Sequence, residues 1–334
     1  MTDSSATAPD TMDIDLEEID TCQLSASGCV FRTVLLETLP SSKLPDWQTK
    51  SQLIADSVVR LYTSGSSGET LTSILWNFWA VVFQAIGLIP HDHPWQDILT
   101  DATLSLRQRT EPIDEPDLYG QDRLKWEDLL ELEMHMLDMR QDPITCFGDQ
   151  APRNVVMEFH NLTSFAARLS RAGFAVWPSS STGEISMALE WPPESRPESG
   201  FKFDSRLWIA TEWLLRSADS VYTAFCDHED EWPTPRELLK EGLATWLCPL
   251  EEGTCEDEIP PLNVRRWQLW RQRLVEIERS WPEWDLKDTT AERILHAVRE
   301  MDLVTEQRAK GRQEQSADTR TGEVTKGAEE FLPF

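Results

Sequence analysis

The sequence predicts an all-α fold: a single irregular multi-helix bundle of roughly ten helices with disordered termini. Three observations predict it. Apolar residues recur three and four positions apart through most of the chain, the period of a helix with one buried face. Alternating apolar and polar residues bounded by hairpin turns do not occur. No period repeats along the chain, and there is no G-x-G-x-x-G after a strand and no G-x-S-x-G elbow. The expected organisation is a disordered acidic N-terminus over 1–25, a helical domain over 26–305 and a disordered polar tail over 306–334.

The two ends, MTDSSATAPDTMDIDLEEID and EQRAKGRQEQSADTRTGEVTKGAEE, hold too few apolar side chains to offset the entropy of ordering them. Between them, Pro45–Tyr62 reads as a helix stopped by TSGSSGE, a loop without the Gly-Lys-Ser/Thr ending of a phosphate loop. Leu71–Leu88 follows, ended by Gly87 and Pro90, and then Pro94–Gln108. Leu124–Arg140 carries Leu129, Leu132, Met136 and Met139 at helical spacing, and Asp142-Pro143 stops it. Val155–Arg171 shows the clearest stripe, Val155, Phe159, Leu162, Ala166 and Leu169, with Gly173 as C-cap. Glu184–Leu189 is a short helix before the WPPESRP linker, followed by Arg206–Phe225 and Pro235–Leu247. Val264–Arg279 places Trp267, Trp270, Leu274 and Ile277 on one face, and Thr290–Val304 closes the domain. The most apolar run, Ile74–Ile89, is shorter than the ~20 residues of a membrane span and contains Asn77 and Gln84 on one face. It reads as the central core helix with a narrow polar stripe.

Composition narrows the function classes. In 334 residues, 40% are hydrophobic, enough for a sizeable core, and there are 15 Trp against 3 Tyr. Such tryptophan usage points to thick packing, or to a wide pocket or interface. Lys and Arg number 31 against 59 Asp and Glu, a net charge of −28 that repels phosphate backbones and anionic lipid. Neither nucleic acid nor a membrane is therefore expected as a partner. The best basic patch, RRWQLWRQR from Arg265 to Arg273, with Arg266 and Arg271 inside it, fits the outer face of one amphipathic helix. The acidic start has no apolar core of a signal peptide. The six cysteines are expected as reduced thiols, Asn161-Leu162-Thr163 as a chance sequon, and the location as cytoplasmic, with the nucleus left open.

Four constellations invite a chemical reading. In IPHDHPWQDIL, His91-Asp92-His93 offers two imidazoles around a carboxylate. A metal site needs three or four converging ligands, and histidines 135, 160, 228 and 296 fall on other elements. Helix initiation explains the run better. Pro94 suits a first turn, His93 or Asp92 an N-cap, and Gln96 the partner of a capping box. Trp95 and Ile98 begin the buried face, so Trp95→Ala is expected to cost ~3–5 kcal/mol. The two imidazoles, taken as exposed, are expected to leave stability flat between about pH 5 and 8. Glu131-x-x-x-His135 and Glu292-x-x-x-His296 are one residue longer than the Glu-x-x-His of di-iron bundles and read as helix-surface pairs. Cys226-x-His228 with Cys248 and Cys255 lacks the close ligand pairs of a zinc site. CDHEDE, Cys226 to Glu231, reads as a solvated charged turn. Catalytic residues are accordingly unassigned, and no cofactor or metal is expected.

Three runs together resemble one family. They are LWNFWAVVFQAIGLIPHDHPWQDIL, then FHNLTSFAARLSRAG with ALEWPPES after it, and LNVRRWQLWRQRLVEI. They are similar to the filamentous-fungal domain of unknown function three-six-three-two, with its W-N-x-F…I-P-x-D-H-P-x-Q-D, N-L-N-x-F-A-A-R-L, A-L-E and R-W-x-x-W-x-x-R patterns. The resemblance covers about Leu71 to Ile277. Thr163 departs from the second Asn of the N-L-N pattern, and Phe159-His160 from a Trp. The resemblance implies a soluble, mostly helical fungal protein, with some relatives set beside secondary-metabolite genes, and it transfers no site residue. The function expected is a non-catalytic interaction or scaffold protein. The alternative is an accessory enzyme or small-molecule-binding protein of a secondary-metabolite pathway. A protein or an apolar small molecule is the expected partner.

Overall fold

Caps and apolar stripes start and stop the helices much where the sequence places them. The computed structural model describes residues 14–20, 22, 24–44, 46–65, 68–115, 123–174, 178–190, 200–227, 259–260, 262–284 and 286–327, leaving aside the side chains at 149, 178–180 and 312–327. Among the described residues the regular elements are helices, with no strand, which is the all-α class expected. They group into two compact units, Met1–Phe147 with Ala151–Ala166, and Gly148–Gln150 with Ala167–Phe334. Uniform apolar spacing does not reveal that subdivision.

The first unit holds α1 (Ala26–Thr38), α2 (Trp47–Ser64), α3 (Leu71–Leu88), α4 (Pro94–Arg107), α5 (Leu132–Met139), α6 (Pro143–Phe147) and most of α7 (Arg153–Arg171). Side-chain oxygens of Ser25, Asp46 and Thr70 accept from free amides at the starts of α1, α2 and α3. Gly65, at φ 59°, ends α2 in the left-handed conformation that glycine adopts without strain. By length and composition α3 could cross a membrane. Here it is the central helix, apolar nearly all round and packed by α1, α2 and α5. Its polar stripe is used locally. Asn77 donates to the Ser73 carbonyl of its own helix, and Gln84 Oε1 accepts the Asp20 amide at 2.8 Å. That bond fastens the acidic segment expected to be disordered, and Leu16 and Ile19 within it are buried.

One expected helix, Leu124–Arg140, is broken in two. A 3-10 turn at Trp126–Asp128 is followed by Leu129 at φ 40° and Glu131 at φ 67°, and only then does α5 begin. Left-handed backbone costs such residues roughly 1–2 kcal/mol each, so tertiary contacts must hold it. The contacts are visible: Trp126 donates to the Glu111 carbonyl at 3.0 Å, Trp79 donates to the Leu130 carbonyl at 2.9 Å, and Leu129 is buried. Apolar spacing is blind to the break, because residues 126, 129, 132 and 136 face inward either way.

The second unit holds the end of α7, then α8 (Pro178–Leu189), α9 (Gly200–Asp227), α10 (Val264–Ser280) and α11 (Asp288–Gly327). α9 packs on α8 and α11, and α10 on α11. Trp213, Trp267, Trp270 and Phe225 are fully buried in it. α9 kinks at Ser217 (φ −138°, ψ 25°), whose hydroxyl donates to the Trp213 carbonyl one turn back, a bond that competes with the helix ladder. Asp204 near the start of α9 accepts from Thr290 and pairs with Lys287, tying it to the start of α11. α11 continues to Gly327, past the Val304 expected from its stripe, whose buried members are Ala291, Ile294, Ala297, Met301 and Val304. The helix expected at 235–247 lies outside the described residues.

Candidate functional site

The IPHDHPWQDIL run is the elbow between α3 and α4. His93 is the N-cap: its Nδ1 accepts the Trp95 amide at 3.2 Å, with Pro94 in the first turn. That role needs an unprotonated Nδ1, and burial lowers the His93 pKa, with the Asp92 charge opposing. His91 and His93 are half-buried and not the exposed pair expected, and Trp95, edge-on to His93 at 4.7 Å, is half-buried too. The enclosed side chain is Gln96. It forms no capping box but donates to the Ile89 carbonyl at 2.9 Å and the Asn161 carbonyl at 3.4 Å. From α7, Asn161 donates to the Gly87 carbonyl at 2.7 Å and Ser164 to the His91 carbonyl at 3.2 Å. The carbonyls at 87, 89 and 91, which a helix end and its exit leave without helical partners, are thus met by side chains. Gly87 permits the approach: a Cβ there would stand 2.9 Å from Glu158 Cγ of α7.

In the second unit the other two motif runs meet on one carboxylate. Glu190, just past α8, accepts from Arg266 Nε at 2.5 Å, Arg266 Nη2 at 2.6 Å and Trp270 Nε1 at 2.5 Å. The Ser186 hydroxyl lies 3.0 Å from Arg266 Nη2 and 3.1 Å from Glu190 Oε1. The Glu190 and Arg266 side chains are 1% and 5% exposed, so this bidentate pair is sealed from water. Arg266 therefore faces the core and corrects the outward basic face expected for Arg265–Arg273. Arg271 pairs with Asp302 and Arg273 with Glu276. The sequence does not single out this pair: Arg266 stands beside Arg265 in a run that also holds Arg271 and Arg273.

Residues 79–274 match the family described as protein of unknown function (DUF3632). The chain belongs to that family. No curated protein and no solved structure matches it. The matched span takes in both the elbow and the Glu190 node.

The remaining candidates of this DUF3632 protein are dispersed. Among the described residues no three His, Cys, Asp or Glu side chains converge as metal ligands. Glu292 and His296 are exposed on α11. Cys226 is a half-buried free thiol, and His228, Cys248, Cys255 and most of CDHEDE lie outside the described residues. His135 is buried, its ring 4.0 Å from Trp76 and stacked at 6.2 Å on Phe83, with Nδ1 unpartnered. Burial holds its pKa low, so the group is a neutral core imidazole and no surface partner of Glu131.

Among the described residues, two exposed surfaces combine size with apolar lining. In the second unit a groove of about 490 Å³ runs along α10, with Trp267 and Tyr222 as aromatic lining and Arg271, Asp302 and Thr305 as polar lining. In the first unit the outer side of α5 presents Met134 and Leu137, 54% and 52% exposed, beside Trp76 at 44%.

Proposed function

We propose that this DUF3632 protein is a non-catalytic interaction protein. One observation carries the reading. Four polar side chains of its motifs, Gln96, Asn161, Glu190 and Arg266, are buried and bond to backbone or to one another, so they hold helices together. What the first unit does present is large apolar side chains, the groups that protein interfaces bury. The resemblance adds a filamentous fungus as the setting, and the net charge of −28 argues against nucleic acid and membranes as partners.

A second reading, a small-molecule-binding protein or accessory enzyme of a secondary-metabolite pathway, is favoured by the groove on α10. Its volume of about 490 Å³ falls in the range of ligand pockets. Native mass spectrometry of the full chain, isolated gently from its own cells, separates the two. A stoichiometric complex with another protein is expected. A monomer carrying a bound small molecule that Arg271→Ala, at an exposed lining residue of the groove, releases would overturn the interaction reading, and so would a bare monomer.

A further inference from the structure

The outer face of α5 is short, apolar and ringed by carboxylates. At about 3.6 residues per turn, Met134 and Leu137 stand side by side at its centre, Glu133 lies on one flank and Asp138 on the other. Both acids are exposed, and Glu131 stands at the start of the helix. Trp76 of α3 extends the face on the Asp138 side, since its ring rests on the His135 imidazole at 4.0 Å. The inward face of α5, Leu132, His135 and Met136, is buried, so the helix is anchored, and among the described residues its outer side is exposed.

Resting on the interaction reading above, we propose that this face of α5, with Trp76 beside it, docks a basic amphipathic helix of a partner protein. Three features of the surface fix the chemistry of the occupant. Methionine is unbranched and polarisable and fits varied apolar side chains, and a half-exposed tryptophan supplies an anchor. A ridge of two residues one turn apart matches the apolar stripe of a helix laid against it. Carboxylates on both flanks select Lys or Arg on the borders of that stripe, and the −28 charge of the whole chain accelerates encounter with a cationic partner. The same charge disfavours a second copy of this chain.

The probe is a fluorescein-labelled 18-residue amphipathic helix of Leu and Lys, titrated with the full-length protein at physiological salt and followed by anisotropy. Its controls are a Leu/Glu helix of the same pattern and a Leu/Lys peptide scrambled to lose amphipathicity. Saturable binding of the first peptide alone is expected. Met134→Ser with Leu137→Ser weakens it at least about tenfold, and so does Glu133→Lys with Asp138→Lys, as central apolar and complementary charged groups of an interface do. Because these side chains are exposed, both pairs keep the wild-type melting temperature. Glu37→Lys with Glu292→Lys, the same charge change on other helices, leaves binding within about twofold, since the proposal rests on the carboxylates flanking the ridge and not on total charge. Equal binding by the Met134/Leu137 pair, or equal loss in the Glu37/Glu292 pair, would overturn the proposal. Self-association in sedimentation that Met134→Ser abolishes would overturn it too, by putting a second copy on the face. If the natural complex found by mass spectrometry survives both α5 variants, the docking site is wrong and the interaction reading stands. If no complex exists, the reading itself fails.

Discussion

At the scale of single residues, the elbow shows how burial ranks side chains that look equal in sequence. Gln96 is wholly enclosed and bonded to two carbonyls, whereas Trp95 is only half-buried. Gln96→Leu should cost about 1–3 kcal/mol by leaving buried carbonyls unmet. Gln96→Glu should cost more, because it turns an oxygen toward them. Trp95→Ala should cost less than the ~3–5 kcal/mol of a core tryptophan, and His93→Ala about 1 kcal/mol, the value of a cap. Urea midpoints of the four variants check that order, and a Trp95 loss exceeding that of Gln96→Glu would refute it. A second prediction concerns pH. Burial depresses the pKa of folded His135 below its ordinary 6.5, against the opposing pull of the Glu131 backbone and the Asp138 charge. The unfolded chain therefore takes up that proton first. The contribution of His135 to stability is full above about pH 6.5 and is lost as pH falls through the folded value. His93 acts in the same direction. The urea midpoint should drop between about pH 7.5 and 5.5, and drop less in His135→Leu. An equal drop in both proteins would mean that His135 titrates alike folded and unfolded.

At the scale of elements, the joints are made by polar side chains set into apolar stripes. Glu190 joins the end of α8 to α10, and Glu212 of α9 takes Arg293 of α11 at 2.5 Å and Arg216 of its own helix at 3.0 Å. Breaking a buried pair leaves a charge without a partner, whereas replacing both members with apolar groups removes the penalty. Glu190→Leu alone should therefore cost about 3–5 kcal/mol, and adding Arg266→Met should recover a large part of it. A double variant as unstable as the sum of the two singles would show that Arg266 acts through something other than Glu190. The same scale explains the helix the sequence drew too long. Leu124–Arg140 has helical spacing throughout, yet the bonds from Trp126 to the Glu111 carbonyl and from Trp79 to the Leu130 carbonyl pin the segment on either side of Leu129, which with Glu131 takes left-handed backbone.

At the scale of the whole molecule, a charge of −28 repels itself in the compact state, although individual pairs are satisfied. Screening that repulsion should raise the melting temperature as sodium chloride goes from about 10 to 200 mM. A fall would mean that attractive surface pairs, such as Arg271 with Asp302, dominate the field. The class of fold, most helix boundaries, the cap at the elbow and the membership of the DUF3632 family follow from the sequence by itself. Each depends on local spacing, on a cap next to its helix, or on the order of motif residues, and all of these survive in a linear string. Only the tertiary structure decided that Gln96 and Asn161 clamp the elbow, that Arg266 turns inward to Glu190, and that Met134 and Leu137 of α5 stand exposed. Those outcomes depend on which residue stands opposite across distances of 65 to 76 positions in the chain. Periodicity says which face of a helix is buried, but the partner across the gap is set only when the helices pack.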